Sequence, residues 1–568
     1  MNITRITSLL LLGLAPLALG AQTPADDFKK QLEDLRKQMA ALEEKSREQD
    51  RSLVKVETKV AQSNIAWGGD LRTKFDSQQW SFKPYQQFMG FAPQAMPGPG
   101  GTTFYMPSPV AMPVPAQDWS NSVQWSTRLR LRMTMNISEH AKIMGRLTMY
   151  KIHGGAEVPT FNGSPNTVAN SFNSGKVPTN DILHVERASF VYDWPVGVLS
   201  IGRQNTSDGP PFEVREGGER QATPQALAVN AMVDGIGWKF HLDSLGMPEG
   251  TLFGICYGIG YESGFGGGGA VKSTAAVVGF NFFPTANSGA ALTPSQFPQP
   301  AMQVNAIGNL KDSTVLGAMF DMPLLFEAFG TVHSANVYLG FNRFGNMTDI
   351  PYGSLNNFPV PAMAGSGGMP SSQYVTATAN LGDMDQLTAT WKHRIADSFT
   401  YFISVGHIKS NPNGQVSQYG AYWNMPSAYG GANYQLTGFG GLLGDPKNSQ
   451  TASAYYAGMR WDPTPSLGLG VEFNHGSPRW FTYSPATGEA SEKLSTRGDV
   501  WEAYIHWSFA KNVALRVGYL DYKYSHAFSG WHIAPMAMEN FDLNKNPMMQ
   551  YGFPSAIKNT YCALEVKF

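Results

Sequence analysis

From residue 123 to residue 137, apolar and polar positions alternate without a break. Val123, Trp125, Thr127, Leu129, Leu131, Met133, Met135 and Ile137 share one side of an extended chain. Gln124, Ser126, Arg128, Arg130, Arg132, Thr134 and Asn136 share the other. The run is far longer than the ~5–6 residues usual in a globular strand. Three arginines on one face exclude a dry sandwich core there, whereas a wall between lipid and a watery lumen accepts them.

The same period of two recurs along the chain. Leu71, Thr73 and Phe75 oppose Asp70, Arg72 and Lys74; Ile236, Trp238, Phe240 and Leu242 oppose Lys239 and His241. Leu467, Leu469, Val471 and Phe473 oppose Glu472 and Asn474. Trp501, Ala503, Ile505, Trp507 and Phe509 oppose Glu502, Tyr504 and His506, and Val513, Leu515, Val517 and Tyr519 oppose Arg516. In the last run, Cys562, Leu564, Val566 and Phe568 oppose Glu565 and Lys567, the pattern expected of a closing barrel strand that carries a membrane-insertion signal. Tight turns are expected at 138–140, 194–197, 462–465 and 510–512. Between them lie long stretches rich in Gly, Pro, Ser and Asn, at about 77–121, 153–181, 205–232, 262–312, 344–384, 410–451, 476–498 and 524–557. Short turns on one side and long loops on the other predict an all-β transmembrane barrel over 64–568. About sixteen antiparallel strands are expected, and eighteen is the alternative count. Ala275–Phe283 would break even parity and is assigned to a long extracellular loop.

The segment before the barrel has a different period. Phe28, Leu32, Leu35, Met39, Leu42, Ser46, Gln49, Leu53, Val56 and Val60 recur at alternating spacings of four and three, a heptad seam. Thr23, Pro24, Asp26 and Asp27 suit its start. An α-helical coiled coil over 22–63 is expected, on the order of 50 Å long. Phe28, Leu32, Leu35, Met39, Leu42, Leu53, Val56 and Val60 would be its oligomerisation contacts, with a second copy of the chain as the simplest partner. Residues 1–21 read as a secretory signal: Arg5, an apolar run from Ile6 to Leu19, then Ala18, Gly20 and Ala21. Export, a periplasmic coiled coil and a barrel together point to the outer membrane of a Gram-negative bacterium.

Composition narrows the chemistry. A mean hydropathy of -0.23 is compatible with a barrel, because only alternate residues meet lipid. The net charge of -1 argues against a nucleic-acid partner. Cys256 and Cys562, in strand patterns, read as small apolar side chains rather than a disulfide framework. No P-loop, paired-histidine zinc motif or haem-attachment motif is present, and no nucleophile and base stand at interpretable spacing, so neither catalysis nor a cofactor is expected. Gly258, Gly260 and Gly264 end a strand with no helix to follow, which is loop flexibility rather than a dinucleotide cradle. His153, His407 and His475 are scattered. The methionines of 535–538 and 547–549 read as loop packing before copper capture. The strongest signal is charge on the inward faces: Arg128, Arg130, Arg132, Arg146, Arg187, Arg203, Lys239, Glu472, Glu502 and Arg516 are the expected pore-lining residues, with Asp70 and Glu186 as counter-charges.

The stretches from Glu186-Arg187-Ala188 through Gly202-Arg203-Gln204-Asn205-Thr206-Ser207-Asp208-Gly209-Pro210-Pro211, then Asp234-Gly235, resemble a bacterial family of porin-like outer-membrane proteins of unassigned function. So do Gly470-Val471-Glu472-Phe473-Asn474-His475-Gly476-Ser477 and Trp480-Phe481. The resemblance covers nearly the whole mature chain and implies a pore for passive diffusion of small hydrophilic solutes or ions, inserted by the barrel-assembly machinery into outer-membrane lipid. Similarity to trimeric porins implies a homotrimer. The arginines add an expectation of anion preference. A surface barrel plugged by its own loops, and a sheath around a separate cytochrome, are the alternative readings.

Overall fold

The structure is a computed structural model. It describes residues 65–97, 99–101, 103–153, 180–205, 232–261, 311–348, 379–396, 398–415, 441–482, 493–527 and 553–568, with isolated positions such as Lys37, Glu44, Lys45, Leu227, Val229 and Trp531 and the short stretch 534–541. The chain divides into two units, Met1–Asn64 and Ile65–Phe568. In the first, Lys37, Glu44 and Lys45 are α-helical. The signal segment 1–21, the heptad seam from Phe28 to Val60 and Ala275–Phe283 lie outside the described residues.

The second unit is built from β1 (Ile65–Phe82), β2 (Tyr85–Pro97), β3 (Thr103–Val114), β4 (Gln117–Asn136), β5 (Ala141–Ile152), β6 (Asn180–Trp194), β7 (Gly197–Asn205), β8 (Met232–His241), β9 (Leu252–Tyr261) and β10 (Ser313–Ala328). It continues with β11 (Thr331–Thr348), β12 (Asn380–Ile395), β13 (Phe399–Pro412), β14 (Thr451–Thr464), β15 (Leu467–Gly476), β16 (Gly498–Ala510), β17 (Val513–Tyr524), β18 (His526–Ala527), β19 (Met536–Ala537) and β20 (Pro554–Lys567). Each strand of the barrel pairs antiparallel with its neighbours in the order β1-β20-β17-β16-β15-β14-β13-β12-β11-β10-β9-β8-β7-β6-β5-β4, and β4 returns to β1. The barrel is therefore closed with sixteen strands, the even count expected. Closure leaves no open edge in lipid, where an unpaired backbone group has no water to bond.

Connections obey a strict asymmetry. The β4–β5, β6–β7, β10–β11, β12–β13, β14–β15 and β16–β17 turns are a few residues long and share one rim with the start of β1 and the end of β20. The β8–β9 connection, ten residues with a short 3-10 turn at Asp243–Leu245, joins them. Every long connection leaves the opposite rim. The β10–β11 turn needs two left-handed residues, Phe329 at φ 54° and Gly330 at φ 74°, which matches the twist of the flanking strands. At the same rim β20 closes on β1: Gly69 N–H donates to Phe568 O at 2.8 Å, and Phe568 N–H to Gly69 O at 3.0 Å.

The expected loop at 77–121 is corrected. β1 runs on to Phe82, β4 begins at Gln117, and between them β2 and β3 form a hairpin registered from Tyr85 opposite Val114 to Pro97 opposite Thr103. Its prolines suggested an irregular loop. A two-stranded ribbon has an unpaired side on each strand, so a residue without an N–H is accommodated there.

Alternation sorts the side chains into two faces. Trp125, Ile201, Ile236, Trp238, Ile255, Leu339, Leu387, Ile403, Val405, Ile505 and Val517 are exposed outward. Aromatic rings collect near the ends of this apolar band. Trp194, Trp238, Phe240 and Phe253 follow one another near the short-turn rim with centroids 6.5 Å apart, and Phe75 and Trp125 stack at 5.8 Å toward the long-loop rim. An apolar band with aromatic girdles is the outer surface of a barrel in lipid.

Candidate functional site: the barrel lumen

The inward face is polar and largely buried. Bonds between strands that are not neighbours identify it as the interior: Arg72 on β1 donates from Nη2 to Tyr150 Oη on β5 at 3.1 Å, and Tyr561 Oη on β20 to Glu502 Oε1 on β16 at 2.7 Å. Such chords cross the lumen side of the intervening strand.

On β1, β4, β5 and β6 the wall is arginine-rich. Register places Arg72 opposite Arg128, Asp70 opposite Arg130, and Arg132 opposite Arg146, which in turn faces Arg187. One carboxylate serves three guanidiniums: Asp70 lies 3.2 Å from Arg128, 2.9 Å from Arg130 and 3.5 Å from Arg132. Side-chain exposure climbs along these three from 11% to 16% to 40%, so the ladder opens toward the short-turn rim. Arg146 Nη2 donates to Glu186 Oε1 at 2.8 Å, its Nε stands 2.7 Å from Oε2 in the same ion pair, and Thr148 also donates to Glu186. Glu186 and Arg187 are consecutive, yet both leave the outward row of Leu183, Val185, Ala188 and Phe190. The register slips by one residue here, and this bulge turns two successive side chains inward.

Toward β17 and β20, Arg516 Nη2 donates to Glu565 Oε1 at 2.8 Å. Lys74 lies over the Tyr561 ring at 4.7 Å, with the Arg516 guanidinium 5.8 Å from the same ring. Lys239 sits on the inward row of β8. Glu472 and Glu502, opposite each other on β15 and β16, are both fully buried.

Arg203 departs from expectation. It pairs opposite Ala188 and Asp234, shares the outward row of Ile201 and Ile236, and lies 3.9 Å from Asp234. Simple parity from Ile201 dictates this, since no slip intervenes. Arg203 is a residue of the outer surface near the long-loop rim, not of the lumen wall. Cys562, Leu564 and Val566 occupy the outward row of β20, and Phe568 follows its last residue. The three scattered histidines stay apart, each with its own partner: His153 on Thr127, His407 on Ser453 and His475 on Asp499.

Sequence reasoning named plugging by loops only as an alternative and placed none of the residues that fill the second half of the lumen. Segments of the β13–β14, β15–β16 and β17–β20 connections fold inward and pack on the wall of β11–β15. Leu442, Leu443, Trp480, Phe481, Leu494 and Trp531 join Phe344, Met384, Phe402, Ile408 and Tyr456 in one buried apolar cluster, together with Leu227 and Val229. Trp480 lies against Gly406, whose absent side chain makes the room: a Cβ there would stand 2.5 Å from the indole. Backbone carbonyls tie the connections together. Trp480 Nε1 donates to Leu494 O at 2.9 Å, Arg497 Nε to Trp480 O at 2.7 Å, Leu443 N–H to Trp531 O at 2.7 Å and Trp531 Nε1 to Thr348 O at 2.6 Å. Lys493, from the same infolded segment, reaches Glu472 at 2.5 Å and Glu502 at 2.7 Å, and Tyr456 bonds to both Glu472 and Lys493. The only sequence signal was an aromatic pair, Trp480-Phe481, in an otherwise polar loop.

A family model described as "Protein of unknown function (DUF3373)" matches residues 118–568. The chain belongs to this family. No curated protein matches the chain. Among solved structures, the chain is similar to the outer membrane channel DcaP of Acinetobacter baumannii, at 11% identity over 89% of this chain and 97% of that one, with a TM-score of 0.37. A loop-deletion form of OmpT, an outer membrane protein of Vibrio cholerae, is 9% identical over 89% and 99%, at 0.36. Salmonella typhi OmpF, in complex with daunomycin, is 8% identical over 88% and 97%, at 0.34.

Proposed function

We propose that the protein is an outer-membrane porin that passes small hydrophilic solutes and favours anions. The observation that carries this reading is the arginine ladder, in which Arg128, Arg130 and Arg132 share the single carboxylate of Asp70 inside a closed barrel. A channel wall with excess charge of one sign raises the local concentration of counter-ions, and low-dielectric surroundings strengthen the effect. Lys239 and Arg187 extend the basic wall, and the Arg516–Glu565 pair hydrates it. The short-turn rim faces the periplasm, where the heptad helix assembles three copies through Phe28, Leu32, Leu35, Met39, Leu42, Leu53, Val56 and Val60. The outward row Cys562, Leu564 and Val566, with Phe568 after it, is the segment read by the assembly machinery. Bilayer conductance with Arg128, Arg130 and Arg132 all replaced by glutamate tests the reading: the reversal potential in a salt gradient shifts toward cations, and an unchanged value contradicts it.

The infolded aromatic cluster supports a second reading, a surface barrel whose lumen is occluded by its own loops. A purified, folded barrel that stays electrically silent in the bilayer favours the plug over the porin.

A further inference from the structure

We infer that the lumen holds a saturable binding site for a small divalent tetrahedral oxyanion, of the phosphate or sulfate type, centred on Arg72. The inference rests on the reading that the lumen admits small anions and adds to it a fixed station on their path. Arg72 is 2% exposed, yet among the described residues it has no carboxylate partner. Its one hydrogen bond runs from Nη2 to Tyr150 Oη, the guanidinium lies over the same ring at 5.5 Å, and its Nε has no partner. Both carboxylates beside it in register are committed elsewhere. Asp70, two residues back on the same face, is shared by the three ladder arginines, and Glu565, directly across on β20, turns to Arg516. The residue across on the other side is Arg128, a like charge.

A buried cation without a counter-charge, facing a second cation, is an arrangement that folding avoids unless something compensates it. A soluble anion does so. A guanidinium presents its donors in a planar fork that suits an acceptor with several oxygens, and two neighbouring guanidiniums suit a double negative charge. The neutral Tyr150 hydroxyl holds one edge of the Arg72 fork and leaves Nε for the ligand. Exposure rising from Arg128 through Arg130 to Arg132 gives the entry path from the short-turn rim.

Calorimetric titration of inorganic phosphate, then sulfate, into the folded full-length protein in detergent and chloride buffer tests the site. Saturable binding is expected. Arg72→Gln should weaken it about tenfold or more, the loss of one charge-assisted fork. Arg72→Lys, which keeps the charge and loses the fork, should fall between, and Arg343→Gln, at an exposed position, should match wild type. Absence of saturable binding, or equal affinity in wild type and R72Q, overturns the site. If R72Q fails to give a folded barrel, R72K decides: unchanged phosphate affinity overturns the inference. A barrel that binds phosphate but is silent to chloride retains this site and removes the porin reading. One that conducts chloride without binding phosphate does the reverse.

Discussion

The two halves of the lumen are stabilised by opposite physics. Along β1, β4, β5 and β6 the interior is a lattice of guanidiniums, hydroxyls and too few carboxylates, held by charge-assisted hydrogen bonds. Along β11–β15 it is an ordinary apolar core, supplied by aromatic and leucine side chains that the long connections deliver from outside the wall. Strands alone cannot build the second kind, because the alternate residues that face inward fill little of a sixteen-strand interior. Among the described residues, the first wall thus stays polar and the second is covered by infolded connections. Lys493 fastens the second half: it belongs to the infolded segment and is anchored by the buried carboxylates Glu472 and Glu502.

This contrast orders the expected effects of mutation. The largest belongs to Lys493→Ala. It removes the cation that the two buried, facing carboxylates Glu472 and Glu502 share, at a cost of about 3–5 kcal/mol. Denaturant unfolding should register the loss, and single-channel conductance should rise as the segment leaves the lumen. A stable variant with wild-type conductance would detach Lys493 from any anchoring role. Next comes Gly406→Ala, whose methyl would collide with Trp480. Overpacking of this kind costs about 1–3 kcal/mol, and the readout is a red-shifted, more quenchable tryptophan emission with the barrel intact.

Acidification probes a separate buried cluster, where Ala527 beside His526 packs with Val500, Leu520, Tyr522 and Ile557 of β16, β17 and β20. His526, in the long-loop region on β18, is held below its ordinary imidazole range by burial first, then by the cations Arg497 and Arg479, with Glu539 opposing them. Because the unfolded chain binds that proton more readily, loop stability is full above the ordinary value near pH 6.5 and falls as pH drops below it. Iodide quenching of tryptophan should therefore increase between pH 7.5 and 5, and His526→Asn should flatten that dependence. The smallest effect belongs to Arg343→Gln, which removes the exposed pair with Asp383 at 2.9 Å and should cost less than about 1 kcal/mol in the same unfolding assay.

What the sequence disclosed follows the same division. Wall strands are legible because lipid on one side and water on the other impose a period of two over a dozen residues. Val123–Ile137 and its inward arginines are read directly from that rule. It fails where the rule is locally suspended. The bulge that turns Glu186 and Arg187 inward together is a register event between β5 and β6, invisible in either strand alone. Arg203 is the converse, a residue counted inward although parity from Ile201 places it outside. The hairpin of β2 and β3 is masked by prolines that a free ribbon tolerates. The infolding of Trp480 and Leu494 has no periodic signature at all, because its cause is the matching space over Gly406 on a strand some seventy residues earlier.

The reversal potential of the purified wild-type protein in a planar bilayer, under a potassium chloride gradient near neutral pH, tests the central claim most directly. A lumen whose conducting wall is the arginine ladder predicts a sign that reports chloride as the more permeant ion, weakening as salt screens the wall. A reversal potential of zero, or one of the cation-selective sign, contradicts the account.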